Sequence, residues 1–276
     1  ENHGTVSISN SAVRDNQVGD AWDAIGAGLF NRNTATLQDS VISGNVAFGR
    51  FAAGGGVKSS GKLIVRDSHF YGNQIIGDDY KYGSAIDSFG EAIISGSTFT
   101  SNSAKGGYYS SWLGDTIVNG AYSTMTIVNS TISVNEGGGL GNFSYATLTN
   151  VTMSGNQGQG IYTYCYDMPT ETHIHKSIIA GNLGFEVLIY DPYECTGGIL
   201  ANDYNLFGYD GDERSYNFTP GPTDIVPSAN LDAILSPLAD NGGPTQTHAL
   251  PAGSPALDRV PNADCAAAPV NGVDQR

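Results

Sequence analysis

Apolar and polar positions alternate along this chain in short runs, and the runs return at a nearly fixed interval. In one such stretch Leu63 and Val65 alternate with Ile64 and Arg66, a turn pair Asp67-Ser68 follows, and Phe70 precedes Asn73 by three residues. The same apolar-x-x-Asn step recurs as Val13/Asn16, Ile42/Asn45, Phe99/Asn102, Ile132/Asn135, Met153/Asn156 and Ile179/Asn182. Its asparagines lie 29, 28, 29, 33, 21 and 26 residues apart. A glycine or alanine followed by an apolar residue keeps pace: Gly28-Leu29, Gly56-Val57, Ala85-Ile86, Gly120-Ala121, Gly139-Leu140 and Gly160-Ile161. Between the two motifs lie β-patterned runs such as Thr126-Ile127-Val128-Asn129-Ser130. No window carries a helical apolar period of useful length.

Three short strands per period of roughly 20 to 30 residues predict a parallel β-helix, all-β and right-handed, over residues 1–200. Stacked coils lie ~4.8 Å apart, so one inward apolar residue per strand forms a column. Val13, Ile42, Phe70, Phe99, Ile132, Met153 and Ile179 make one expected column; Leu29, Val57, Ile86, Leu140 and Ile161 make another. The repeated asparagines are expected to form a structural ladder at a sharp turn, using the left-handed backbone that Asn tolerates. From about Asn202 the period is lost and prolines accumulate. Residues 201–276 are therefore read as an irregular cap over the last coil, shielding its open strand edges.

Composition narrows the function. Twelve basic against 27 acidic residues leave a net charge of −15, which argues against nucleic acid and against adsorption to an anionic membrane. No stretch has the length of a membrane span. The acidic load suits a secreted protein.

Candidate chemistry sits in a few places. Residues 106–120 interrupt the regular coils and carry Tyr108, Tyr109 and Trp112, a platform for sugar rings or a loop folded over a coil edge. If Ile161 points inward, Tyr162 and Tyr164 point outward. Their equivalents are Phe30/Arg32, Lys58/Ser60, Asp87/Phe89 and Gly141/Phe143. Lys58 and Asp87 fall on neighbouring coils, where they read as a surface ion pair or as part of an acid–base site. His173 and His175 are a strand-spaced pair without a third ligand. Asp210, Asp212 and Glu213 surround a glycine and are the candidate Ca²⁺ ligands; no cofactor is otherwise required. Cys165 and Cys195, one coil apart, are expected to be bonded in an exported protein, which leaves Cys265 without a partner.

The run Ser236-Pro237-Leu238-Ala239-Asp240-Asn241-Gly242-Gly243-Pro244-Thr245-Gln246-Thr247-His248, continued by Gly253-Ser254-Pro255-Ala256-Leu257-Asp258, resembles the C-terminal signature of bacterial choice-of-anchor (Q type) surface proteins. The repeats are also similar to the GGA[ILV] and FxxN motifs of chlamydial polymorphic outer membrane proteins, through Gly54-Gly55-Gly56-Val57, Phe70-x-x-Asn73 and Phe99-x-x-Asn102. The resemblance implies a β-helix displayed on a bacterial cell surface ahead of an anchor, and it implies no reaction.

Two functions follow. The first is a non-catalytic extracellular structural or adhesive protein, a filament or sheath subunit included, whose partner is an extracellular glycan or further copies of itself. The second is a polysaccharide lyase or hydrolase binding glycan on the outer face of one sheet, which would need several carboxylates, or a Lys or Arg with carboxylates, on adjacent coils of that face. The sequence also leads us to expect the edge at residues 5–8 to pair with more chain, assisted by salt or Ca²⁺.

Overall fold

Each coil places its strands directly over those of the coil before, and the pairing is parallel throughout the stack. The computed structural model describes residues 1–19, 22–105, 114–165, 169–191, 197–273 and 275. The first set of strands contains Thr5–Ser9, Thr34–Gln38, Lys62–Arg66 and Glu91–Ser95, then the leading halves of Thr124–Ser133 and Tyr145–Ser154, then Thr170–His175 and Gly197–Ala201. The second contains Ala12–Arg14, Val41–Ser43, His69–Tyr71 and Thr98–Thr100, the trailing halves of the same two long strands, then Ile178–Ile179 and Leu206–Phe207. The third is the glycine-motif sheet: Leu29–Asn31, Val57–Ser59, Ile86–Ser88, Asp115–Asn119, Gly138–Asn142, Ile161–Tyr164, Val187–Tyr190 and Ser215–Tyr216. The result is an all-β parallel solenoid of about seven turns.

The early coils add a fourth sheet that the three-strand pattern did not anticipate. It holds Gln17–Gly19, Asp23–Ile25, Val46–Ala53, Gln74–Tyr82 and Ser103–Lys105. The cause is length. Eight residues separate Asn45 from Gly54, whereas Asn135 is followed almost at once by Gly137. The shorter later coils have no room for the extra strand.

The expected columns are present. Register pairs Val13, Ile42, Phe70, Phe99, Ile132, Met153, Ile179 and Phe207 in turn. All are buried except Val13, which is half-buried in the first coil. The Phe70 and Phe99 rings stack at 4.8 Å. In the other column the place between Ile86 and Leu140 is filled by Ile117, paired with both, and not by Ala121. The aliphatic residue of that coil follows Thr116, so the expected Gly-Ala pair lies beyond the strand.

The seven asparagines form a continuous amide ladder. From Asn16 to Asn182 each Nδ2 donates to the Oδ1 of the next, at 2.8 to 3.0 Å. Each backbone N–H from Asn16 to Asn156 donates to the same oxygen. The second Nδ2 hydrogen of Asn45 and its successors goes back to the carbonyls of Val13, Ile42, Phe70, Phe99, Ile132 and Met153. An interior amide thus satisfies both its donors and its acceptor without water. The left-handed residue is not the asparagine, as expected from the sequence, but the one before it. Asp15, Gly44, Gly72, Ser101, Val134, Gly155 and Gly181 all have φ between 55° and 84°. The asparagine can then keep extended backbone and aim its side chain along the stack.

A serine ladder at the next corner was not foreseen. The N–H groups of Ser11, Ser40, Ser68 and Ser97 donate to the hydroxyls of Ser40, Ser68, Ser97 and Ser130. Below Asn182 the amide ladder ends on Glu186. Its Oε2 accepts from Asn182 Nδ2 at 2.6 Å and from Asn182 N, and its Oε1 accepts from Gly181 N. Burial pushes the Glu186 pKa up to about 7 against the lowering effect of these bonds.

Residues after 201 first close the stack and then turn back along it. Leu206, Ile234 and Leu235 pack with Ala180 over the last coil. Further on, Thr245 Oγ1 donates to Gly96 O, Thr98 Oγ1 donates to Gln246 O, and the buried Gln275 bonds Thr98, Thr131 and Thr245. The C-terminal segment therefore covers the outward threonines of the second sheet as well as an end. At the other end Thr5–Ser9 pairs with Thr34–Gln38, and its second edge has no strand partner among the described residues.

Replacing Asn102 by Ala should destabilise the fold by at least ~3 kcal/mol, because Asn73 loses two acceptor contacts inside the protein. The same change at the exposed Asn16 should cost well under half of that. Urea unfolding midpoints measure the difference, and equal losses at the two positions would contradict the ladder. Ile132→Ala should cost ~2–5 kcal/mol as a large-to-small change in a closed column.

Candidate functional site

Strand alternation on the third sheet presents two outward rows. One runs Phe30, Lys58, Asp87, Val118, Gly141, Tyr162, Leu188 and Tyr216 by direct register. The other follows two residues on and includes Phe89, Gly120, Phe143, Tyr164 and Tyr190, each held by a backbone bond to the preceding coil or paired in register. The outward placement of Tyr162 and Tyr164 expected from Ile161 is what the register gives.

Lys58 and Asp87 meet, but not at the surface. Lys58 Nζ lies 2.5 Å from Asp87 Oδ2, Asp87 is fully buried, and the Lys58 ammonium also sits 3.9 Å above the Phe89 ring centroid. A solvent-exposed ion pair is therefore the wrong description. Burial raises the Asp87 pKa to about 6, opposed by Lys58, and its Oδ1 has no hydrogen-bond partner.

A second buried acid, Asp115, was missed by the sequence reading. Its carboxylate fills the notch left by two glycines one coil on. A Cβ at Gly138 would come within 1.9 Å of Asp115 Oδ1, and one at Gly141 within 2.3 Å of Oδ2. Asp115 is 2% exposed, its Oδ2 is unpartnered, and burial alone pushes its pKa up to about 8. Burial thus favours its protonated form. The only sequence signal for it was the pair of small residues at Gly138 and Gly141, and that signal needs the register to be read.

Around these acids stand rings. Tyr162 is 3% exposed, so it is a packed ring and not an open platform. It contacts Phe143 edge-on at 6.2 Å and Tyr164 at 6.0 Å. Burial, with the nearby Asp115 charge second, holds its hydroxyl protonated far above neutrality. Tyr82, from the fourth sheet, reaches Phe143 at 6.4 Å, and burial raises its pKa to about 12. Tyr164 and Tyr190 stack at 5.6 Å. Tyr82, Phe143 and Tyr164 are partly exposed and Tyr190 is exposed.

The other candidates fall apart or fall outside. Tyr108, Tyr109, Trp112 and Cys195 lie outside the described residues. Cys165 is buried, and Cys265 is a free, half-buried thiol. Among the described residues no three carboxylate, His or Cys side chains form a metal-binding group. Asp210, Asp212 and Glu213 belong to a tight turn. Asp212 Oδ1 accepts from Arg214 N, and Tyr209 and Asp212 bridge across it. His173 and His175 each face a different acid, Glu171 and Asp203, on the first sheet. Lys176 also pairs with Asp203, at 2.6 Å.

The fold and this face define a parallel β-helix with an aromatic, acid-burying outer sheet. Comparison with family models, with curated proteins and with solved structures finds no match to this chain. Among the described residues no helix is long and apolar enough to cross a membrane.

A carboxyl with a raised folded-state pKa keeps its proton where the unfolded chain has released it, so stability falls as pH rises between the two values. For Asp115 that window runs from 3.8 to about 8. Thermal melting should therefore drop between pH 6 and pH 8, and Asp115→Asn should flatten part of that slope. Parallel curves for the two proteins would contradict the assignment.

Proposed function

We propose that the chain is a non-catalytic, extracellular, cell-surface β-helix that adheres to an extracellular glycan through the outer face of its third sheet. One observation carries this reading. The two acids on that face, Asp87 and Asp115, are closed to solvent, while Phe143, Tyr164 and Tyr190 of the adjoining row remain open. Acid–base catalysis needs its groups within hydrogen-bond reach of a substrate. Aromatic rings need only an exposed face. Surface display is supported by the resemblance of residues 236–258 to an anchor-preceding segment and by the charge of −15.

A polysaccharide lyase or hydrolase is the second reading. It is favoured by a protonated Asp115 beside Tyr162, an arrangement suited to a general acid once exposed. Prolonged incubation with plant and bacterial polysaccharides distinguishes the two. The adhesive reading expects no release of reducing ends or unsaturated products, and expects Tyr190→Ala to weaken retention on the bound glycan. Product formation abolished by Asp115→Asn, with the fold intact, would replace it by the enzymatic reading.

A further inference from the structure

The rings of the third sheet do not stop at its edge. Phe51 and Tyr80, paired in register on the fourth sheet, stack at 5.1 Å with planes 7° apart. Tyr80 continues to Tyr82 at 6.4 Å, again 7° from parallel. Tyr82 meets Phe143, Phe143 meets Tyr164 at 5.5 Å, and Tyr164 stacks on Tyr190 with planes 6° apart. Six rings are thus in unbroken contact along the solenoid. From the coil of Phe51 to that of Tyr190 is five coil steps, or roughly 24 Å. Phe51, Tyr80 and Tyr190 are 37%, 38% and 44% exposed.

We propose that this strip is a binding cleft for a linear, uncharged polysaccharide that lies along the solenoid axis with its sugar rings against Phe51, Tyr80, Tyr164 and Tyr190. The proposal rests on the adhesive reading above and names its ligand. Two features of the strip select the chemistry. First, Phe51 and Tyr80, and again Phe143, Tyr164 and Tyr190, are one coil apart, so they suit a ligand that itself repeats, and their exposed ring surface suits the apolar faces of pyranose rings. Second, two cations beside the strip are each spent on an acid. Arg50 pairs with Asp79 and lies over Trp22, and Lys58 pairs with Asp87 and lies over Phe89. These cations are compensated, so they offer little to a uronate or a sulfate, and the net charge of −15 repels a polyanion. Asp87 and Asp115 are closed to solvent, so neither offers a partner to a cationic chain. Tyr82 keeps its hydroxyl proton and can donate it to a sugar oxygen.

The test is titration calorimetry on the full chain. Cellohexaose, xylohexaose and mannohexaose serve as neutral probes, hexagalacturonate as the anionic probe and a chitosan hexamer as the cationic one. Tyr80→Ala and Tyr190→Ala are made at opposite ends of the strip, both at exposed positions, with thermal melting as the control for folding. At least one neutral hexasaccharide should bind, and each substitution should weaken it about three- to tenfold with melting unchanged. Loss at Tyr190 but not at Tyr80 would overturn the strip and leave adhesion by the third sheet standing. Binding only of a charged hexamer would overturn the ligand class. No binding by any probe would overturn the strip and the glycan-adhesive reading together. If the two substitutions then altered the oligomeric state in sedimentation velocity, the surface would be assigned to contact between copies of the chain.

Discussion

The asparagine ladder is the constraint on which the rest of the stack depends. A β-helix coil is not stable by itself, because its inner side chains and strand edges are satisfied only by the next coil. The ladder makes that dependence specific. One amide per coil accepts from the previous coil and donates to the next and to the previous, all at a buried corner. A slip by one residue would leave the interior amides with unmet donors in a dry environment, at ~1–3 kcal/mol for each lost partner. The apolar columns favour burial of any similar residue, whereas the amides accept only one register. The outward rows are fixed by the same register, which is why rings from successive coils come into contact on the third sheet.

Both ends of the ladder show what an amide needs. At the open end Asn16 is exposed and its backbone corner is formed by Asp15 in the left-handed region. At the closed end no further asparagine follows Asn182, and Glu186 supplies the missing oxygens from four residues on. The substitution of a carboxyl for an amide oxygen places an ionisable group inside the fold. Its raised pKa expresses the conflict between strong acceptor geometry and burial.

Much of this was legible in the residues. Apolar-x-x-Asn at a steady period gave the coil, the buried column and the existence of the ladder. Alternation from Ile161 placed Tyr162 and Tyr164 on the outer face. What could not be read depended on where a coil's extra residues go. The interval of 33 residues between Asn102 and Asn135 hides an insertion before Asp115, so Ile117 was passed over for Ala121 and Asp115 was given no place in the outer rows. The fourth sheet was hidden for the same reason, since Phe51 and Tyr80 lie in the surplus residues of the long coils. The burial of Tyr162 and Asp87 depends on neighbours in other coils, such as Phe143 and Lys58, and local pattern carries no such information. The turn geometry was placed one residue late because Asn and Gly both favour left-handed backbone, and only the ladder decides which of Gly44 and Asn45 adopts it.

Side-chain amide exchange of the asparagines, followed by NMR in D₂O, tests the central claim most directly. If the ladder holds the coils in register, the Nδ2 signals of Asn73, Asn102 and Asn135 persist far longer than that of the exposed Asn16 and disappear together, at a rate set by unfolding of the stack. Exchange of these interior amides within minutes, while backbone amides of the same coils stay protected, would show that they carry no such constraint and that the apolar columns alone set the register.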